Sequence, residues 1–197
     1  MDPSDIAASY DALAGFWQSH TPENYGVPQL KRALPFAPAE GHSLDVGCGS
    51  RGRFMDILRD HGFRTEGVDI SPGMIELAAR RNPEAIFHTA DISGWELPRA
   101  YDFICAWDST FHLPIHQQEP VMTKLCNGLL PGGILLFTCG GSEAGEITGV
   151  FEGQELPYST LGIDRFIQIL HEARCRILHV EYDQLPEKHV FIVALKG

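Results

Sequence analysis

The run Leu44-Asp45-Val46-Gly47-Cys48-Gly49-Ser50-Arg51-Gly52 concentrates residue types that can hold a nucleotide: an apolar strand-like segment, closely spaced glycines, and a helical pattern behind them. Gly47 and Gly49 carry no side chain to keep a ligand away, so the backbone can turn sharply and approach a nucleotide or an amino-acid moiety. The helix that follows offers free N–H groups to a carboxylate or phosphate. Taken alone, this spacing also fits an ordinary strand-to-helix turn. Asp69 adds a second element, because it stands 22 positions after Gly47 at the end of the next strand-like run. A carboxylate there accepts hydrogen bonds from both ribose hydroxyls. Its plainer role is support for the N-terminus of the helix that opens at Pro72.

A second group of residues could act on an acceptor. Trp107-Asp108-Ser109-Thr110-Phe111-His112-Leu113-Pro114 carries a carboxylate and an imidazole within five positions. His112 can take a proton from a hydroxyl or amine near neutral pH, or can make a structural hydrogen bond that holds the loop. Asp108 can bind an acceptor or an ammonium group. Tyr158 either points inward as a second catalytic candidate or packs ahead of the following helix. Tyr10 and Trp17 share one face of an N-terminal helix, a pattern that by itself says only that this face is buried. His189 is a weaker candidate of the same kind.

These residues need a scaffold. Ile6, Tyr10, Leu13 or Ala14, and Trp17 fall at helical spacing over residues 5–18, ahead of a Thr21-Pro22-Glu23-Asn24 break. A short helix follows over Pro28 to Leu34. The pattern then alternates: strand 43–46, helix 51–61 stopped by Gly62, strand 64–69, helix 72–81 with Ser71 as N-cap, and strands at 85–89, 101–107 and 134–138, with a helix over 116–130 between the last two. This βαβ series predicts a mainly parallel sheet covered by helices on both faces. A polar, glycine-rich stretch from Gly140 to Pro157 lacks clear periodicity and is expected to be a substrate-covering loop. Helix 163–173 and strands 176–183 and 189–195 close the chain. Only Gln184 to Lys188 links those strands, so they must form an antiparallel hairpin.

With 197 residues, 44% hydrophobic and 21% charged, the chain is expected to be one domain: a helical lid over 1–42, a nucleotide-binding core over 43–139, and a covering loop, helix and hairpin over 140–197. A net charge of −11 argues against sequence-independent nucleic-acid binding, which depends on Lys and Arg neutralising phosphates. No apolar stretch reaches bilayer length and the first residues lack a signal-peptide pattern, so a cytoplasmic protein without membrane contact is expected. Cys48, Cys105, Cys126, Cys139 and Cys175 show no metal spacing and read as reduced, buried thiols. No metal is expected.

A NAD site and an S-adenosylmethionine (SAM) site share the features described so far. Asp45, two residues before Gly47, suits a cofactor bearing an ammonium and a sulfonium better than an anionic pyrophosphate. The short chain leaves little room for the second half of a dehydrogenase, and the terminal hairpin favours the SAM reading too. On these residues the chain resembles the class I SAM-dependent methyltransferases, from Ser43 to Lys196. The resemblance assigns Leu44 to Gly49, with Asp45, Gly47, Cys48 and Gly49, to the first cofactor motif. It assigns Asp69 and Ile70 in Val68-Asp69-Ile70-Ser71 to the ribose, and Asp91 and Ile92 in Ala90-Asp91-Ile92 to the adenine. It also implies Met74 against the adenine, Trp107 and Asp108 at the end of the fourth strand, and Tyr10 on a helix that lids the pocket. The fold implied is a Rossmann-like, doubly wound, mainly parallel seven-stranded sheet ending in an antiparallel hairpin. Ser50-Arg51-Gly52-Arg53-Phe54 departs from the family, which often has a small residue or Thr after the first turn, and leaves the contacts of Arg51 and Arg53 open.

The expected activity is methyl transfer to a small-molecule acceptor by a monomer or homodimer. The motifs of amino-methylating DNA enzymes, arginine methyltransferases and magnesium-dependent catechol-type enzymes are missing. A compact NAD-dependent oxidoreductase and a non-catalytic SAM-binding accessory protein are the alternatives.

Overall fold

The computed structural model describes residues 2–141 and 143–197; Met1 and Ser142, the latter inside the stretch read as a loop, lie outside the described residues. Helices α1 (Pro3–His20) and α2 (Val27–Ala33) precede strand β1 (Gly41–Val46). Then come α3 (Met55–His61), β2 (Phe63–Asp69), α4 (Pro72–Arg81), β3 (Ile86–Thr89), β4 (Tyr101–Ala106), α5 (Ile115–Asn127) and β5 (Leu129–Gly140). Strands β6 (Gly145–Phe151) and β7 (Gln154–Thr160), helix α6 (Ile163–Glu172), and strands β8 (Cys175–Tyr182) and β9 (His189–Lys196) complete the chain.

Seven strands form one sheet in the order β3-β2-β1-β4-β5-β9-β8. Neighbours from β3 to β5 are parallel, and β9 runs antiparallel to both β5 and β8. The alternation of side chains along the central strands fills two cores. Ile104, Ala106, Leu135 and Phe137 meet Val121 and Leu125 of α5 and Phe166 and Leu170 of α6. Phe103, Cys105, Ile134 and Leu136 face the other way, toward Leu30 of α2 and Leu58 of α3. Both faces being buried, β4 and β5 read as continuous apolar runs. All five cysteines are buried and unpaired, and no helix among the described residues is long and apolar enough to cross a membrane.

Two segments differ from the sequence reading. The helix expected from Arg51 begins only at Met55, because Gly52 has φ +50°, a left-handed conformation that a right-handed helix cannot contain. The expected loop from Gly140 to Pro157 is instead largely a β-hairpin, with β6 and β7 paired over Gly145 to Thr160. Its two-residue turn places Glu152 and Gly153 at φ +48° and +79°, the geometry that matches the twist of the flanking strands. Nearly every β6 residue is exposed, so no apolar alternation marks the strand, and Pro157 disguises its partner.

Helix α1 is fastened at its middle and at its C-terminal end. Asp11 accepts hydrogen bonds from Ser71 Oγ at 2.5 Å and from the Gly73 N–H at 2.9 Å, at the start of α4. Arg51 donates to the carbonyls of Gln18 and Thr21, at 3.4 and 2.9 Å, and pairs with Glu23. Arg51 thus joins the loop after β1 to the end of α1. Replacing it by alanine (Arg51→Ala) is expected to cost about 1–3 kcal/mol. Hydrogen exchange measured by mass spectrometry should show faster exchange in residues 3–20 with β1 still protected.

Candidate active site

The carboxyl ends of β1, β2 and β4 open onto a cavity of about 920 Å³, at the upper end of the range of about 300–1,000 Å³ for small-ligand sites. Its walls bring together Asp45, Gly47, Cys48, Gly49, Asp69, Ile70, Met74, Asp91, Ile92, Trp107, Asp108, His112, Tyr158 and, from α1, Tyr10. His189 lies behind this wall, bonded to Asp108.

The glycine turn has a specific geometry. Gly47 and Gly49 have φ +70° and +62°. A Cβ on Gly47 would collide with the Ser109 side chain, whereas the Cβ direction of Gly49 meets open space. The turn is tied to β2 by Gly49 N–H, which donates to Asp69 Oδ2 at 2.9 Å, while Asp69 Oδ1 accepts from the Ser71 N–H at 3.0 Å. Asp69 therefore performs the N-terminal support that its plainer reading described, and it still faces the cavity with accepting capacity on both oxygens. Burial raises its pKa against the pull of those backbone bonds. Asp91 bonds the N–H and hydroxyl of Ser93 at 2.9 and 2.6 Å and borders the same cavity. Met74 is buried on α4, its N–H capped by Ser71 Oγ.

Asp45 is only 4% exposed. Burial, opposed by Arg53 and reinforced by Asp69, pushes its carboxyl up to about 7. Arg53, whose contacts the sequence left open, lies over the rings of Tyr25 and Phe54 with its guanidinium carbon 5.2 and 5.0 Å from their centroids. Arg53 Nε, Ser50 Oγ, Trp107 Nε1 and Ser109 Oγ border the cavity and are buried without a hydrogen-bond partner among the described residues. Such atoms favour a polar ligand.

On the opposite wall, His112 Nδ1 lies 2.7 Å from the Pro157 carbonyl and Nε2 lies 2.5 Å from Tyr10 Oη. A carbonyl only accepts, so Nδ1 carries the hydrogen and Nε2 offers its lone pair to the Tyr10 hydroxyl. Burial lowers the His112 pKa to about 4, despite the carbonyl bond and Asp108, so the imidazole is neutral around pH 7. Tyr158 packs on His112 and Phe111, with centroids 5.0 and 5.9 Å apart. The sequence singled out His112 and Tyr10 separately but missed their bond, which spans 102 positions. It also missed Tyr25, whose hydroxyl donates to Asp108 at 2.7 Å. No group of three or more metal-binding side chains occurs among the described residues.

A seven-stranded sheet of this order, with a glycine turn after β1 and an acid at the end of β2, defines the class I SAM-dependent methyltransferase fold. The chain belongs to the methyltransferase-domain family, whose model matches residues 17–192. It is 29% identical over 135 residues to a dTDP-3-amino-3,6-dideoxy-alpha-D-glucopyranose N,N-dimethyltransferase of Streptomyces fradiae, covering 67% of this chain and 52% of that enzyme. It is 27% identical over 185 residues to a dTDP-4-amino-2,3,4,6-tetradeoxy-D-glucose N,N-dimethyltransferase of Saccharopolyspora spinosa, covering 90% and 72%. The chain thus spans about half the length of the first of these relatives. Among solved structures, the Burkholderia thailandensis 1,6-didemethyltoxoflavin-N1-methyltransferase, bound to 1,6-didemethyltoxoflavin and S-adenosylhomocysteine, superposes with a TM-score of 0.73. That superposition covers 99% of this chain and 87% of the other at 18% identity, a likeness of fold. The cofactor of this class fits the residues present: a buried carboxyl in want of a cation at Asp45, an open backbone approach at Gly49, and free accepting capacity at Asp69.

The raised Asp45 carboxyl makes a stability prediction. The folded state holds this proton to about pH 7, whereas the unfolded chain releases it near pH 4. The protein without ligand is therefore penalised at pH 8, and the penalty fades as pH falls through 7 towards 4. Asp45→Asn is expected to raise the unfolding midpoint at about pH 8 and to leave it nearly unchanged at about pH 4, as urea titrations would show.

Proposed function

We propose that this chain transfers the methyl group of SAM to an N–H or O–H group of a small-molecule acceptor. The observation that carries the reading is a neutral Tyr10–His112 pair facing the same cavity as the glycine turn and Asp69. Bound SAM supplies a methyl group already activated by its sulfonium leaving group. With SAM bound, Asp69 would accept from the ribose hydroxyls, Asp91, Ile92, Ile70 and Met74 would hold the adenine, and Gly47, Cys48 and Gly49 would admit the amino-acid tail, with Asp45, Trp107 and Asp108 at the charged end.

An acceptor N–H or O–H becomes strongly acidic as it gains a methyl group, so a nearby proton acceptor eases the step. Tyr10 Oη can receive that proton while its own proton passes to His112 Nε2, and the Pro157 carbonyl continues to hold Nδ1–H. Tyr158 keeps His112 in place and walls the acceptor pocket. The lid also excludes water. Trp17 stacks on Phe151 of the β6–β7 hairpin at 4.9 Å and 7°, so α1 and the hairpin meet across the mouth.

The acceptor chemistry follows from the lining. Tyr10, Trp17, Phe111, Phe151 and Tyr158 give apolar, aromatic walls, and the carboxylates of Asp69, Asp91 and Asp108 face the cavity. Arg51 is committed to the lid and Arg53 adjoins the glycine turn. This balance supports an uncharged or cationic acceptor over one carrying phosphates, in contrast to the nucleotide-sugar substrates named for the two relatives. A cavity with an acceptor side argues against a non-catalytic SAM-binding accessory protein. Carboxylates beside the turn argue against the pyrophosphate of NAD.

Calorimetric titration with SAM, S-adenosylhomocysteine and NAD tests the cofactor. Binding of the first two, lost in Asp69→Ala, supports the reading; binding of NAD alone overturns it. Once an acceptor is found by screening with radiolabelled SAM, Tyr10→Phe and His112→Gln should each lower kcat by about 10²–10⁴-fold. Their affinity for S-adenosylhomocysteine should stay within about twofold of the wild type, well under 1 kcal/mol.

A further inference from the structure

From Asp108 a chain of charges runs behind the cavity wall, and the proposed chemistry uses only its first member. His189 Nε2 is 2.8 Å from Asp108 Oδ1, and His189 Nδ1 is 2.5 Å from Asp183 Oδ1. Carboxylate oxygens only accept at neutral pH, so both bonds form together only when both ring nitrogens carry hydrogen. His189 is then an imidazolium. Asp183 Oδ2 is bonded in turn by the Gln29 amide at 2.6 Å. Asp108 Oδ2 accepts from the Tyr25 hydroxyl at 2.7 Å, and Asp108 Oδ1 also accepts from Thr138 Oγ1 at 3.1 Å.

Asp108 needs such restraint, since it has φ +51°, an unfavourable backbone conformation for a residue with a side chain. The conformation follows directly on the end of β4 and sets Ser109 against Gly47. The Asp108 carboxylate thereby borders the same end of the cavity as the glycine turn. One imidazolium between two carboxylates leaves one negative charge uncompensated, and Asp108 is the member that reaches the cavity.

We propose that Asp183 and His189 are positioning residues that hold the Asp108 carboxylate at the cavity wall to receive the ammonium of the cofactor's amino-acid tail. This rests on the SAM reading above. The charged groups that face His189 are Asp108, from the end of β4, and Asp183, from the end of β8; the Gln184 amide nitrogen lies 3.1 Å from His189 Nδ1, and the Trp107 ring centroid is 5.6 Å from the imidazole. Tyr25 and Arg53 act on Asp108. Burial lowers the His189 pKa, but its bonds to the two carboxylates outweigh burial and raise it overall. Burial likewise works against ionised Asp108, and the bonds from His189 and Tyr25 overcome it and lower its pKa. The bridge is therefore complete at neutral pH. It loses one of its two His189 bonds as pH rises through the raised imidazole pKa.

The test combines nitrogen-15 NMR of the histidine side chains with calorimetric titration of S-adenosylhomocysteine from about pH 6 to about pH 9. Wild type, His189→Gln and Asp183→Asn are compared. In the wild type, both His189 nitrogens should remain protonated at about pH 7.5, where a free imidazole is mostly neutral. Its affinity for S-adenosylhomocysteine should fall as His189 deprotonates. His189→Gln should bind about tenfold more weakly at about pH 7 and lose that pH dependence, and Asp183→Asn should move the transition to lower pH. Reading the variant against the wild type at each pH removes the ligand's own ammonium titration. Wild-type affinity and pH profile in His189→Gln would overturn the positioning role, as would an imidazole titrating like a free histidine. If the wild type bound no S-adenosylhomocysteine, the cofactor reading and its ammonium would fall together, while the NMR signals would still report the charge state of His189. Asp183→Asn and the wild-type NMR keep the test decisive if His189→Gln fails to fold.

Discussion

Asp69 is where the architecture of this molecule is tied together. Its carboxylate accepts the Gly49 N–H from the turn after β1 and the Ser71 N–H from the start of α4. Ser71 caps Met74 and donates to Asp11 of the lid helix. One short run of hydrogen bonds thus links two neighbouring strand ends, the start of α4, and α1. The parallel pairing of β1 and β2, in register from Gly41–Phe63 to Val46–Val68, brings the turn and the carboxylate to the same edge. A parallel sheet aligns its carboxyl ends, and the ligand crevice lies beyond them.

The cost of that arrangement is electrostatic. Asp45, Asp69 and Asp108 border one largely apolar cavity, and their surroundings treat them differently. Burial raises the first two pKa values, whereas His189 and Tyr25 keep Asp108 ionised. Without a cation, burial opposes the ionisation of Asp45. A bound sulfonium and ammonium would reverse that balance by favouring the charged carboxylates.

The sheet was legible because both faces of its central strands are buried, so apolar runs at β1, β4 and β5 stand out between helical patterns. The glycine turn was legible because strand and glycines adjoin in sequence, and the place of Asp69 at the next strand end because strand length fixes its distance from Gly47. The helix after the turn was misread by one left-handed residue, Gly52, whose conformation depends on tertiary context. Tyr25, Asp108, Asp183 and His189 form their cluster from four separated segments. No local periodicity marks such a cluster, although the polar residues beside Trp107 and at the hairpin start were visible as candidates.

The least legible segment has the closest bearing on the chemistry. An exposed hairpin strand has no apolar alternation to reveal it, and proline normally argues against a strand. Pro157 fits here because what it lacks is an N–H, while what the site requires is its carbonyl. That oxygen takes the Nδ1 hydrogen of His112 and so turns the Nε2 lone pair toward Tyr10. A lid helix at one end of the chain and a hairpin near the other thus converge on one imidazole. Its protonation and orientation depend on tertiary closure, and an isolated sequence motif cannot specify either.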